Sequence, residues 1–166
     1  MSRIVDLGFR AVEALLVLLL AVLVCLVFTN VVLRYAFSSG IIATEEISRL
    51  LFVWIVFLGS VPVMRLGGHL GVDMFVQAMP KRGRLVSALV SNLVILACCV
   101  IFGLGAWRQS LINADNAMPI TGIASGWAYV AATISAVAIA VIVVLDTVRL
   151  IRTGEPPRPS HDGDIA

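Results

Sequence analysis

ALLVLLLAVLVCLVFTNVVL, residues 14–33, runs for 20 residues without an Asp, Glu, Lys or Arg. A bilayer core about 30 Å thick takes roughly 20 helical residues to cross, so this stretch alone reads as one membrane span. Three more charge-free apolar runs follow at 50–64, 85–106 and 127–145, of 15, 22 and 19 residues. Strings such as Leu18-Leu19-Leu20 do not alternate polar with apolar, which excludes the strands of a membrane β-barrel. Over the whole chain 60% of residues are hydrophobic, 13% are charged and the mean hydropathy is +1.05. An average soluble domain has about 45–50% and about 25%. Disorder over most of the length is excluded by the same figures. A formal net charge of +2 supplies no basic field for nucleic acid.

The second run is short for a span and extends backwards to Thr44, a plausible N-cap, with Glu45 and Glu46 in the first turn where the helix dipole favours acids. Both acids precede Arg49 at a spacing that suits same-face ion pairing, and Pro62 is expected to kink the helix. The first run is longer than a signal-peptide core and no A-x-A-like site follows it, so an uncleaved helix is expected. Lys and Arg set which way the chain faces across the membrane. Nine fall on the N-terminal arm, the connection after the second span and the tail; only Arg34, Arg49 and Arg108 fall on the other side. The expected fold is therefore an all-α integral membrane protein with four transmembrane helices and both termini cytoplasmic. Between the second and third spans, the pattern around His69, Asp73 and Gln77, ending at Pro80, predicts a short amphipathic interfacial helix. Residues 1–152 form the four-helix membrane domain, and 153–166, rich in Pro and Gly, a disordered cytoplasmic tail.

Chemistry is sparse. His69 and His161 are the only histidines, neither within a span, so no haem is expected. His69 and Asp73 lack a third ligand; no metal site and no cofactor are expected. Cys25, Cys98 and Cys99 fall inside spans and read as packing residues. Ion-driven carriers keep ionisable groups at membrane depth, and the four runs contain none. Glu13, at the edge of the first run, leaves open a self-sufficient carrier of the small multidrug type. A membrane anchor for a respiratory enzyme is a further alternative, disfavoured by the missing intramembrane histidines. Asn30, Ser87, Ser91 and Asn92 suit bonds between helices. Ala124, Ala128, Ala132, Ala136 and Ala140 recur every four residues, a ridge that permits close helix contact and points to partners. Trp107, Trp127 and Tyr129 form an interfacial belt.

The ordered series Asn30, Arg34-Tyr35, Glu45-Glu46, Arg49, Trp54 and Gly59, continuing through Arg65, Gly68-His69, Val72-Asp73 and Pro80, resembles the small permease (DctQ-like, Q-type) subunits of TRAP transporters, the tripartite ATP-independent periplasmic carriers. The resemblance covers roughly residues 10 to 150. It departs at Ala124-Ser125-Gly126-Trp127, where family members often carry a proline before the tryptophan. The resemblance implies a non-catalytic partner role. A large M-type permease subunit would carry the sodium and substrate sites, and a periplasmic P-type binding protein would deliver an organic acid such as a C4-dicarboxylate or a sialic acid. Asn30, Arg34, Tyr35, Glu45, Glu46, Arg49, Trp54, His69 and Asp73 are the residues expected to contact that partner or to anchor the chain at the lipid interface.

Overall fold

The computed structural model describes residues 3–65 and 81–153. Four long helices account for nearly all of them: α1 Arg3–Phe37, α2 Ala43–Arg65, α3 Lys81–Ile112 and α4 Gly126–Thr153. Each is long and apolar enough to cross a membrane. Each also outgrows its charge-free run, because polar residues at helix ends still complete backbone hydrogen bonds once the apolar centre has nucleated the helix. The expected interfacial helix with His69 and Asp73, and the expected tail, lie outside the described residues. α2 starts at Ala43, one residue before Thr44, with the Thr44 N–H donating to the Ile41 carbonyl at 3.0 Å. It runs on through Pro62 to Arg65.

The helices do not close into a bundle. α1 packs on α2, α2 on α4, and α4 on α3, and among the described residues α1 approaches neither α3 nor α4. The spatial order α1–α2–α4–α3 is an open row with the last helix inside it. A stacked pair of rings, Phe57 and Phe102 with centroids 5.9 Å apart, also links α2 to α3.

Each seam has its own chemistry. Between Leu7 and Phe37 the residues of α1 that are not exposed are Phe9, Val12, Leu16, Leu19, Leu23, Leu26, Asn30 and Leu33, alternately three and four apart. That 3.5-residue period is the coiled-coil seam, and large aliphatic side chains fill it. Near its C-terminal end the Asn30 Oδ1 accepts the Ile41 N–H at 2.8 Å, tying the turn between α1 and α2 to α1. The turn leaves α1 through Ser38 at φ 51°, and the Ser39 N–H closes back on the Leu33 carbonyl at 3.2 Å.

The α3–α4 seam uses small residues instead. Ala131, Ala132, Ser135 and Ala136 are buried on α4, which packs against both α2 and α3. A Cβ added at Gly103 of α3 would stand 3.3 Å from that of Ala136, so the two backbones meet closely. Lower down, the Asn92 Nδ2 donates to the Thr147 hydroxyl at 3.0 Å, and that hydroxyl donates to the Val143 carbonyl at 2.7 Å. The alanine ridge, read as a surface for partners, is thus used inside the chain: Ala132 and Ala136 are buried, and Ala124, Ala128 and Ala140 are half-buried. Where lipid gives helices no hydrophobic drive to associate, close backbone contact is what holds them, and the chain's own α3 supplies it.

Candidate functional site

The polar centre of the described structure lies at the end of the row where α1 meets α2 and α3 meets α4. Asn113 to Ser125 connect α3 to α4 through a loop wired to itself. The Met118 N–H donates to the Ile123 carbonyl at 2.8 Å, the Gly122 N–H to the Met118 carbonyl at 3.0 Å and the Ser125 N–H to the Asn116 carbonyl at 2.8 Å. Ala117 and Ala124 form an isolated antiparallel bridge. Gly122 turns the chain at φ 69°, a conformation that side-chain-bearing residues rarely adopt. At the loop's exit Gly126 lies so close to α3 that an added Cβ would stand 2.7 Å from the Ser110 carbonyl oxygen.

Glu46 locks this loop to α2. Placed in the first turn of α2 and only 8% exposed, its carboxylate accepts the Ile120 N–H at 3.2 Å on one oxygen. The other accepts the Thr121 N–H at 2.9 Å and the Thr121 hydroxyl at 2.8 Å. Hydrogen bonds to an ionised acceptor are roughly twice as strong as neutral ones, and three of them offset the burial of the charge. Arg49 adds a favourable charge interaction. The spacing of Glu46 and Arg49 suits an ion pair, yet the hydrogen-bond partners of Glu46 come from residues 120 and 121, because backbone donors left over in a turn satisfy a buried carboxylate better than an exposed guanidinium does.

The residues singled out in the sequence therefore separate into two groups. Asn30 and Glu46 bind loops of their own chain. Arg34, Tyr35, Glu45 and Arg49 are exposed, Tyr35 by 84%, and Trp54 is half-buried on α2. His69 and Asp73 lie outside the described residues. Glu13 is exposed on α1 and does not face a seam. Thr121 and Gly122 were missed by sequence reasoning; the string Pro119-Ile120-Thr121-Gly122 carries a turn signal that could have found them. Nothing in this cluster is poised as a nucleophile or base. It holds hydrogen bonds, and its effect is to fix the start of α2 to the loop that joins α3 and α4.

A family model described as "Tripartite ATP-independent periplasmic transporters, DctQ component" matches residues 23–153. A TRAP transporter small permease protein of Haemophilus influenzae is 38% identical over 149 residues, covering 88% of this chain and 92% of its own. The C4-dicarboxylate TRAP transporter small permease protein DctQ of Vibrio cholerae is 30% identical over 96 residues, covering 58% of this chain and 41% of its own. The sialic acid TRAP transporter permease protein SiaT of Haemophilus influenzae is 24% identical over 115 residues, 68% of this chain but only 18% of that longer protein. Four apolar helices in an open row, with a family match over most of their length, lead to one assignment: the chain belongs to the DctQ component of the TRAP transporters, a small permease subunit seated by several passes in the bacterial inner membrane.

Proposed function

We propose that this chain is a non-catalytic scaffold that enlarges the fixed part of a large M-type permease subunit. The assembly takes up an organic acid, of the C4-dicarboxylate or sialic-acid kind, coupled to sodium and delivered by a periplasmic P-type binding protein. Both termini lie in the cytoplasm, and the Glu46 lock lies on the periplasmic side. The observation that carries this reading is the open row itself. Its charged side chains gather toward the helix ends, so among the described residues no Asp, Glu, Lys, Arg or His stands at membrane depth to drive a cycle, and its broad apolar faces suit a second membrane protein. The match to a short part of SiaT supports it, since a segment joined to a longer permease is held beside it at high effective concentration.

Glu45 and Arg49, exposed on one face of α2 at its outer end, are the proposed contacts with the large subunit, with Arg34 and Tyr35 beside them. Affinity purification of this chain from native membranes should bring down a large polytopic protein, and Arg49→Ala should lower its yield. An unchanged yield from that variant would set the contact aside. Accumulation of an organic anion by this chain alone in vesicles under a sodium gradient would overturn the scaffold reading.

A further inference from the structure

Contacts across each seam fix which residues of neighbouring helices stand at the same height. A Cβ added at Gly59 would lie 3.9 Å from Leu16, so on the antiparallel pair α1 and α2 these two positions are level. Arg34 then stands level with Ile41, and Glu13 level with Pro62. Phe57 and Phe102 put Arg108 of α3 level with Leu51 of α2. Between α3 and α4, Gly103 with Ala136 and Asn92 with Thr147 give one common register, which sets Trp127 level with Ile112 and Asp146 level with Leu93.

The charges that bound each apolar run do not lie on planes perpendicular to the helices. On the outer side the boundary falls at the height of Ile41 on α1, at Arg49 on α2 and at the height of Leu51 on α3. At 1.5 Å per residue that is a descent of about 15 Å across the row. On the inner side it falls at the height of Pro62 on α1, at Arg65 on α2, about one residue further on at Asp146 of α4, and about ten residues beyond Arg65 at Arg84 of α3. This descent is about 20 Å, in the same sense. Two independent boundaries slope together. Neighbouring axes 8–10 Å apart make the row at most about 27 Å wide, so the slope is about 30° or steeper.

We propose that the lipid bilayer meets this helix row obliquely, with all four helices tilted about 30° within the plane of the row, inside the range transmembrane helices adopt. An upright seat bounded at the heights of Arg49 and Arg65 would strand exposed Phe28 and Val31 of α1 in water on one side. It would strand exposed Val86 and Val90 of α3 in water on the other. The tilt returns all four to the hydrocarbon. It also lifts the outer end of α3, with the loop that Glu46 holds, away from the membrane on one side, and carries the start of α1 away from it on the other. The seat follows from this chain's own charges and registers, whichever proteins it joins.

The test uses the full chain in phosphatidylethanolamine–phosphatidylglycerol vesicles, with Cys25, Cys98 and Cys99 replaced by Ala. Single spin labels are placed through Phe28→Cys, Val31→Cys, Val86→Cys and Val90→Cys, with Ile101→Cys as a lipid reference and Asp115→Cys as an aqueous one. The oblique seat gives all four labels collision rates with oxygen like those at 101, and collision rates with a water-soluble nickel chelate several-fold below those at 115. Nickel access at 31, 86 and 90 equal to that at 115 would overturn it. Polarised infrared dichroism of the unlabelled protein in oriented bilayers provides a second reading that no label disturbs. A mean helix tilt of about 30° supports the proposal, and one below about 15° refutes it.

Discussion

The α3–α4 pair and the α1–α2 pair are both antiparallel apolar hairpins, yet they are held by opposite means. α3 and α4 meet backbone to backbone at Gly103 with Ala136 and at Gly126, with the Asn92–Thr147 bond across the seam and a wired loop at one end. α1 leans on α2 through one stripe of mostly large aliphatic side chains and the bond from Asn30 near its C-terminal end, and from Leu7 to Phe37 the rest of its surface is exposed. In lipid a leucine exposed to acyl chains gains little by turning to a neighbouring leucine, whereas a glycine or alanine lets two backbones reach dispersion contact that lipid cannot match. The first hairpin to look for as an independent unit is thus α3–α4, with α1 the more loosely attached helix.

That contrast breaks if α3–α4 tolerates bulk. Ala136→Leu drives three further carbons toward Gly103 and should destabilise the fold by about 3 kcal/mol, read as a shifted midpoint in a denaturant or SDS titration. Gly126→Ala sets a methyl against the rigid Ser110 carbonyl and should cost about 2 kcal/mol by the same measurement. Glu46→Gln removes the charge from the lock and makes one of its accepting oxygens a donor facing a donor. Hydrogen exchange at the Ile120 and Thr121 amides should accelerate on the order of tenfold, while amides in the helix centres keep their protection. Asn92→Ala should cost about 0.6 kcal/mol, the usual worth of one hydrogen bond between membrane helices. Val17→Ala, on the exposed side of α1, should change stability by less than about 0.5 kcal/mol. A loss at Val17 as large as that at Ala136 would mean that the two hairpins are not held differently at all.

The existence of four helices was legible because an uncharged apolar run of span length has only one stable backbone form in lipid. Their partners within the chain were not. The alanine period announced a close contact without saying whether α3 or another protein provides it, since spacing specifies a face and not what covers it. Glu46 was legible as a first-turn acid, but its partners stand 74 and 75 residues away in a loop whose shape depends on Gly122 and Gly126. Glu45, one residue before it, has the same charge and the same dipole position and is left exposed. Only the 100° that separates neighbours on a helix decides between them.

By itself the sequence determined the solvent and the secondary structure: hydrocarbon around four uncharged stretches forces every backbone group to bond within its own helix. The tertiary structure alone decided that the last helix lies inside the row, that Ala136 packs on α3, and that one of two adjacent glutamates closes the loop between α3 and α4. Those outcomes depend on which surfaces fit at close range, a property of pairs of elements distant in the chain that no single stretch encodes.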